Sequence, residues 1–292
     1  MKYTRYLLPA IFITFMGCNN NEEQADAYGN FEAIEVIVSA EAQGRIMAFA
    51  PREGEVLQQG SVIVIVDSTQ LHLKKQQLQS GVVSLKSKIS TLDAQVRASR
   101  VQLENLQREH KRIDKLFEGG AATPKQQDDI KGQIALLEAQ IVAAESQKAS
   151  VFAERSTLKI QIQQVEDQIW KCTVRSPLDG VMLAKYKEEG EVVVPGLSLC
   201  KLANLDHLIL RAYVSGEQLS EVKTGQSVRV RFDVPGGMEE TTGEVSWVSP
   251  RAEFTPKIIQ TREERVNLVY AIKVVVPNDG SLKIGMPGEV VF

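Results

Sequence analysis

The sequence predicts an α+β protein: a split β-sandwich with a long antiparallel helical hairpin inserted into it, then a small antiparallel β-barrel. Three observations lead there. A glycine-punctuated motif occurs twice, and its glycines Gly44 and Gly180 lie 136 residues apart. The segment between the copies has a single proline, Pro124, and repeats apolar residues every three to four positions. After residue 204, apolar and polar residues alternate as in short strands.

Composition excludes several classes of protein. The 292 residues include 34 basic and 37 acidic side chains, a net charge of −3, which argues against binding of nucleic acid. Three cysteines are too few for a disulfide framework, and the three histidines have no metal-ligand spacing. There is no glycine-rich phosphate loop, and we find no paired carboxylates or Ser–His arrangement. We therefore expect no catalytic residue, no cofactor and no metal.

Residues 1–18 are predicted to form a signal peptide. Basic Lys2 and Arg5 precede an apolar segment, residues 6–16, which is too short to span a membrane comfortably. The following Gly17-Cys18 resembles a bacterial lipobox, although Phe15 stands where leucine is usual. The resemblance implies that Cys18 is lipidated and begins the mature chain. An ordinary signal peptide or an uncleaved anchor are the alternatives, and residues 19–34 are predicted to form a linker.

The repeat pairs residues 35–67 with residues 171–203. The same offset of 136 residues relates three glycines in each copy: Gly44, Gly54 and Gly60 in the first, and Gly180, Gly190 and Gly196 in the second. We expect these glycines to supply positive φ at turns between short strands. Neither half can bury its apolar face alone, so the halves should pair across the inserted segment.

The paired halves resemble a biotinyl/lipoyl-type β-sandwich. A carrier domain of that fold presents a lysine in the tight turn that joins its halves. Here that turn is replaced by Asp67-Ser68-Thr69, which leads into the first helix. The chain therefore has no attachment site for a swinging cofactor, and a carrier role is disfavoured.

Residues 68–170 are predicted to form a coiled-coil hairpin with arms of roughly 47 residues, or about 70 Å each. Its predicted seam positions are Leu71, Leu78, Val82, Leu85, Ile89, Leu92, Val96, Ser99, Leu103, Leu106, His110 and Ile113 in the first arm, and Ile130, Ile134, Leu137, Ile141, Ala144, Lys148, Val151, Arg155, Leu158, Ile162, Val165 and Ile169 in the second. The four polar seam residues are interpreted as tolerated positions or register pins. Pairing between subunits is the alternative.

The tip of the hairpin is predicted at about residues 117–123. Gly119-Gly120 should end the first helix. Thr123 should cap the second, with Pro124 at its first position and Gln126 completing a capping box. At the base of the hairpin, Ser68 and Thr69 are candidate caps for the first helix.

Around this tip, Arg112, Leu116 and Thr123 follow the spacing Arg-x3-Leu-x6-Thr. This resembles the Arg–Leu–Ser tip pattern of periplasmic adaptor proteins, also called membrane fusion proteins or the HlyD family. The resemblance implies that the tip docks end-on against a TolC-like outer-membrane channel, with Arg112 making polar contacts and Leu116 acting as the apolar anchor. Thr123 stands where serine is usual. The alternative is that these residues serve only the turn.

Residues 204–292 are predicted to form the β-barrel. Its clearest alternation places Val228, Val230, Phe232 and Val234 on one face, and Tyr270, Ile272, Val274 and Val276 on one face of a later strand. The segment Glu253–Phe292 resembles the barrel of adaptors for ABC-type exporters, and a further membrane-proximal domain of RND adaptors is expected to be absent. Cys172 and Cys200 have apolar repeat mates, which favours buried thiols over a disulfide.

The resemblance as a whole implies a non-enzymatic periplasmic adaptor of a Gram-negative bacterium, held at the inner membrane by a lipid anchor. Its partners would be an inner-membrane exporter, with the ABC type favoured, a TolC-like channel, and further copies of itself in a ring, commonly a hexamer. An adaptor of an RND or MFS pump and a structural envelope lipoprotein without transport are the alternatives. The transported substrate is not encoded in any recognisable feature.

Overall fold

The computed structural model describes residues 25–254 and 268–292. These residues form two compact units, which are described separately. One unit comprises Glu35–Ala203, and the other combines the described residues up to Ile34 with those from Asn204 onwards.

The first unit contains two long helices and two four-stranded sheets. Its elements are β2 (Glu35–Ser39), β3 (Gly44–Phe49), β4 (Val56–Leu57), β5 (Val62–Val66), α1 (Thr69–Glu118), α2 (Pro124–Lys171), β6 (Thr173–Arg175), β7 (Gly180–Lys185), β8 (Val192–Val193) and β9 (Ser198–Ala203). The second unit is built from β1 (Ala27–Glu32), β10 (His207–Ser215), a 3-10 turn (Gln218–Ser220), β11 (Ser227–Val234), β12 (Gly237–Val248), β13 (Glu253–Phe254), β14 (Leu268–Pro277) and β15 (Pro287–Val291).

The two copies of the repeat are interleaved in both sheets of the first unit. One sheet has the order β2-β9-β7-β4 and the other β6-β5-β3-β8, so each takes two strands from each copy. Their apolar side chains enclose a single core that includes Ile63, Val64, Met182, Leu199 and Leu202, all buried. Because the copies complete each other, the ends of the inserted helices are held next to one another.

The glycines of the repeat serve two purposes. Positive φ occurs at four of them, as expected: Gly54, Gly60, Gly190 and Gly196. Gly44 and Gly180 instead lie in strands without positive φ. A Cβ on Gly180 would lie 2.4 Å from the backbone oxygen of Ala203, and one on Gly44 would lie 2.7 Å from Val66 Cγ1. The expectation of positive φ is wrong for these two positions, which are glycine because neighbouring atoms leave no room.

Helices α1 and α2, of 50 and 48 residues, form the antiparallel hairpin. All predicted seam positions are buried or half-buried. The fully buried ones are Leu85, Ile89, Leu92, Val96, Ile130, Leu137, Ile141, Ala144, Val151 and Val165. At 1.5 Å per residue each arm is about 75 Å long, so the hairpin is held by one narrow apolar seam.

Polar pairs on one side of the seam fix how the two arms align. Lys75 Nζ lies 2.9 Å from Glu166 Oε1, and Lys148 Nζ lies 2.7 Å from Asp93 Oδ1. Nearer the tip, Gln127 Nε2 donates to Asp114 Oδ1 at 2.7 Å.

In each of these three pairs the residue numbers add up to 241. A slip of either arm would separate all three pairs together. Lys148 is thus a register pin within the chain, and its hydrogen bond lowers the pKa of Asp93.

Two further polar seam residues, His110 and Arg155, contact side chains of their own helix. His110 Nδ1 lies 3.2 Å from Asp114 Oδ2, and the Arg155 guanidinium lies 5.0 Å from the centre of the Phe152 ring.

The base of α1 is stabilised by a residue that the sequence did not single out. Ser68 occupies the N-cap position without a side-chain hydrogen bond. The backbone N–H and the hydroxyl of Thr69 donate instead to Asp67 Oδ1, at 2.9 and 2.6 Å. The prediction that Ser68 or Thr69 accepts the capping bond is therefore wrong, because the Asp67 carboxylate reaches the first N–H of the helix. Both bonds lower the pKa of the Asp67 carboxyl, and the bond from the Thr69 hydroxyl has the larger effect.

The second unit is a closed barrel of six antiparallel strands, which confirms the predicted barrel. The strand order is β10-β1-β15-β11-β12-β14, β10 pairs with β14 to close the cylinder, and β13 extends β14 at the edge. The predicted inward residues are buried or half-buried, and the wall positions Val230, Ile272, Val274 and Val276 are fully buried.

One barrel strand comes from the segment that was predicted to be a linker. Within residues 19–34, Ala27–Glu32 form β1, which lies between β10 and β15. Phe31 is fully buried and meets the Phe232 ring edge-on, with ring centres 6.3 Å apart. The linker assignment is wrong for these residues, because their hydrogen-bonding partners lie more than 170 residues later and leave no local pattern.

Candidate partner-binding site at the hairpin tip

Helix α1 ends in a Schellman turn. Gly120 has a φ of 75°, its N–H donates to the Phe117 oxygen at 3.0 Å, and the Ala121 N–H donates to the Leu116 oxygen at 2.7 Å. Since only glycine adopts this φ without strain, the predicted stop is explained. The carbonyls of Lys115, Leu116 and Phe117 thus accept hydrogen bonds from the turn.

Helix α2 begins with the predicted capping box, which is confirmed. The Gln126 N–H donates to Thr123 Oγ1 at 3.3 Å, and the Thr123 N–H donates to Gln126 Oε1 at 2.8 Å. Pro124 occupies the first turn, where its missing N–H costs nothing. The Thr123 hydroxyl is therefore already used by the turn, although the residue itself is exposed.

Between the Schellman turn and the capping box, the tip exposes two large apolar side chains. Leu116 is 45% exposed and Phe117 is 39% exposed. We call this pair the tip patch. Phe117 was missed by the sequence analysis, but a signal existed: it lies four residues after the last seam position, Ile113. The seam has no residue left to cover it, because α2 begins only at Pro124.

Arg112 flanks the tip patch one helical turn before Leu116, on the same face of α1. Its Nη2 atom lies 2.7 Å from Glu109 Oε1, and its side chain is 70% exposed. Exposed pairs of this kind contribute little to stability. The guanidinium can therefore exchange Glu109 for an acceptor on a partner at small cost.

Asp114, just before the tip in α1, contacts both Gln127 and His110, as described above. The hydrogen bond from Gln127 joins the two arms near the tip, and the contact of His110 with Asp114 lies within α1. Arg112, Leu116 and Thr123, the predicted site residues, thus surround a well-defined turn, with Arg112 and Leu116 available for contacts and Thr123 committed to its cap.

Other predicted features are placed as follows. Cys18, the predicted lipidation site, lies outside the described residues. Among the described residues, no helix combines the length and apolar character needed to cross a membrane. Within residues 25–254 and 268–292, no group of three or more His, Cys, Asp or Glu side chains could hold a metal ion.

The two cysteines of the first unit are buried and unbridged, as the apolar repeat mates indicated. Cys172 caps the end of α2, where its thiol lies 3.3 Å from the Gln168 oxygen, and Cys200 lies in β9. Burial raises the pKa of both thiols, that of Cys200 to about 11. Neither is suited to nucleophilic chemistry.

Comparisons with known proteins find relatives that are described as membrane proteins. No family profile matches it. It is 24% identical to a UPF0194 membrane protein of Citrobacter koseri over 91% of this chain and 87% of that one. It is 27% identical to a UPF0194 membrane protein of Yersinia enterocolitica over 94% of this chain and 93% of that one.

Solved structures share its architecture. MacA of Actinobacillus actinomycetemcomitans is 18% identical, with a TM-score of 0.56 over 91% of this chain and 78% of that one. The membrane fusion protein Spr0693 of Streptococcus pneumoniae is 17% identical, with a TM-score of 0.58 over 90% of this chain and 97% of that one. The chain thus has the fold of a membrane fusion protein and is similar, along nearly its whole length, to the UPF0194 membrane proteins.

Proposed function

We propose that the protein is a periplasmic adaptor that links an inner-membrane exporter to a TolC-like outer-membrane channel. It performs no covalent chemistry, and its contribution is to span distance and present the tip. In this proposal the first unit is a biotinyl/lipoyl-type sandwich carrying the hairpin, and Cys18 carries a lipid that holds the chain at the inner membrane. Several copies form a ring, of six in our proposal, because one hairpin cannot enclose a conduit.

The observation that carries the proposal is the tip patch. Leu116 and Phe117 are exposed at the end of arms about 75 Å long, beside a turn that is closed by hydrogen bonds to the carbonyls of Leu116 and Phe117. Burying a fully exposed side chain of this size contributes roughly 1.5–3 kcal/mol, so a partner that covers these partly exposed side chains gains about half of that for each. Arg112 beside them supplies a cation for an acidic or carbonyl acceptor.

For the exporter we favour an ABC-type pump. The support is the resemblance of Glu253–Phe292 to barrels of such adaptors, while an RND or MFS pump is the alternative. Purification of the full chain from its own membranes distinguishes them. Recovery of an ATPase together with its permease supports the ABC assignment, and recovery of one large proton-driven pump reverses it.

Docking at the tip is tested by replacing Leu116 with a photo-crosslinking amino acid in the full chain. Illumination of intact cells should yield an adduct with an outer-membrane channel. Leu136 is the matched control, since it is also an exposed leucine, at 62%, but lies about twelve residues along α2 from the tip. The same probe there should give no channel adduct.

A substitution completes the test. Leu116→Asp should reduce co-purification of the channel at least tenfold, because a charge replaces the apolar anchor, and Leu136→Asp should leave it unchanged. The docking proposal would be wrong if position 116 gave no channel adduct and Leu116→Asp left the amount of co-purified channel unchanged. A structural envelope lipoprotein would then be the better description.

A further inference from the structure

Asp114, in the last two turns of α1, joins the two arms of the hairpin just before the tip patch. Its Oδ1 atom accepts a hydrogen bond from Gln127 Nε2 of α2 at 2.7 Å, and its Oδ2 atom lies 3.2 Å from His110 Nδ1. The backbone N–H of Gln127 donates in turn to the Thr123 oxygen at 3.3 Å. We call Asp114, Gln127 and His110 the Asp114 cluster. It connects the end of one helix to the beginning of the other.

On α1, the apolar seam is less buried where this cluster lies. The fully buried seam residues of α1 end at Val96, about 33 Å before the end of the helix at Glu118. The later seam residues of α1 are only half-buried: Ser99, Leu103, Leu106, His110 and Ile113. Since the stabilisation from apolar burial scales with the area removed from water, the seam holds the end of α1 less firmly than its middle.

Polar contacts between the arms are also sparse towards the tip. In the described hairpin, the next polar pair between the arms is that of Arg100 with Glu145. Glu145 lies about 27 Å further along α2 than Gln127. Between that pair and the turn, one side-chain hydrogen bond, from Gln127 to Asp114, joins the arms. The alignment of the arms at the tip therefore depends on the Asp114 cluster.

Stability alone does not explain why a histidine occupies position 110. The heptad pattern places an apolar residue there, and a leucine would bury more apolar area. The Nε2 atom of His110 is buried and has no hydrogen-bond partner, which costs free energy. What the histidine supplies is a contact for Asp114 Oδ2 while Oδ1 faces Gln127. The carboxylate is thus held between its own helix and the opposite arm.

We propose that the Asp114 cluster consists of positioning residues for docking. It holds the end of α1 on the beginning of α2, so that Leu116 and Phe117 meet the channel in one orientation. The inference rests on the proposed adaptor function. A tip that is already ordered loses less conformational entropy when a partner binds it. Asp114 and Gln127 are half-buried, and we assign them no contact with the channel.

Substitutions of Gln127 in the full chain test this role, with the photo-crosslinking amino acid at position 116 as the probe. Gln127→Leu cannot donate to Asp114 and should lower the yield of the channel adduct by about tenfold, as expected for the loss of a hydrogen bond to a charged group. Gln127→Lys supplies a new donor and should restore most of the yield. The matched control is Gln133→Leu, because Gln133 is exposed on α2 and should leave the yield unchanged.

Hydrogen exchange of the purified full chain shows whether the tip itself has loosened. In Gln127→Leu the amides from Asp114 to Glu118 should exchange severalfold faster, and in Gln127→Lys and Gln133→Leu they should exchange as in the unsubstituted chain. A double variant, His110→Leu with Gln127→Leu, replaces the cluster by apolar seam contacts. Its urea midpoint should not fall, yet its adduct yield should stay as low as that of Gln127→Leu, which a merely stabilising role would not produce.

The outcomes separate this inference from the docking proposal. The role of the Asp114 cluster would be wrong if Gln127→Leu or the double variant kept the full adduct yield, or if Gln127→Lys restored none of it. An equal loss of adduct in Gln133→Leu, or unchanged hydrogen exchange in Gln127→Leu, would also contradict it. In each of these cases docking through Leu116 would stand. If the unsubstituted Gln127 chain gave no channel adduct, the docking proposal would fail and this inference with it.

Discussion

If the narrow seam holds the hairpin together, two neighbouring leucines should respond very differently to the same truncation. Leu137 is 6% exposed and lies in the seam, while Leu136 is 62% exposed and points outward. Leu137→Ala removes three buried carbons, worth about 2.4 kcal/mol at roughly 0.8 kcal/mol each. The void borders solvent in a two-helix seam, so we expect little additional cavity cost and a total of about 2.5 kcal/mol.

The matched Leu136→Ala change should alter the free energy of unfolding by less than about 0.5 kcal/mol, since no packed contact is lost. Urea unfolding followed by far-ultraviolet circular dichroism measures both, because the two long helices dominate that signal. The expected gap of about 2 kcal/mol is roughly thirtyfold in the folding equilibrium. Equal costs for the two variants, or a cost below about 1 kcal/mol for Leu137→Ala, would refute the assigned register.

Three further changes probe other parts of the structure. Thr123→Ala should destabilise the cap by about 1 kcal/mol and so speed hydrogen exchange of the first α2 amides, whereas Thr123→Ser keeps the hydroxyl and should not. Unchanged exchange in Thr123→Ala would mean that the hydroxyl does not serve the cap. Gly180→Ala should unfold or strongly destabilise the first unit, because its Cβ would lie 2.4 Å from a backbone oxygen, whereas Gly132→Ala, with open space around it, should raise stability by up to about 1 kcal/mol in thermal melts. The Thr69 hydroxyl is the main cause of the lowered pKa of Asp67, and the stability that this shift contributes is present above the ordinary pKa of 3.8 and is lost as the pH falls through the pKa of the folded state. Asp67→Asn should therefore reduce the drop in the urea midpoint between pH 7 and pH 3. An unchanged drop would contradict this reasoning.

Features set by local periodicity were predictable, and features set by distant pairing were not. The seam was fully predicted because a heptad repeat depends only on neighbours three and four residues away. The same holds for the turn at Gly120 and the cap at Thr123. Strand β1 was missed because its residues depend on partners far along the chain. Phe31 packs against Phe232, and residue 29 must be glycine because a Cβ there would lie 1.9 Å from the Arg211 oxygen.

The candidate site shows the same division. Leu116 and Arg112 were found through a motif at a recognisable turn. Phe117 was missed because its exposure depends on where the opposite arm begins, which the spacing of one arm does not reveal.

The interleaved sheets also impose an order on folding. The arms of the hairpin are adjacent in sequence and can zip from the short turn after Glu118. The sandwich must wait for β9, and the barrel must wait longer, since β1 pairs with β15 and Ala27 lies opposite Val290. We therefore expect folding to proceed from the middle of the sequence outwards, with β1 among the last strands to pair.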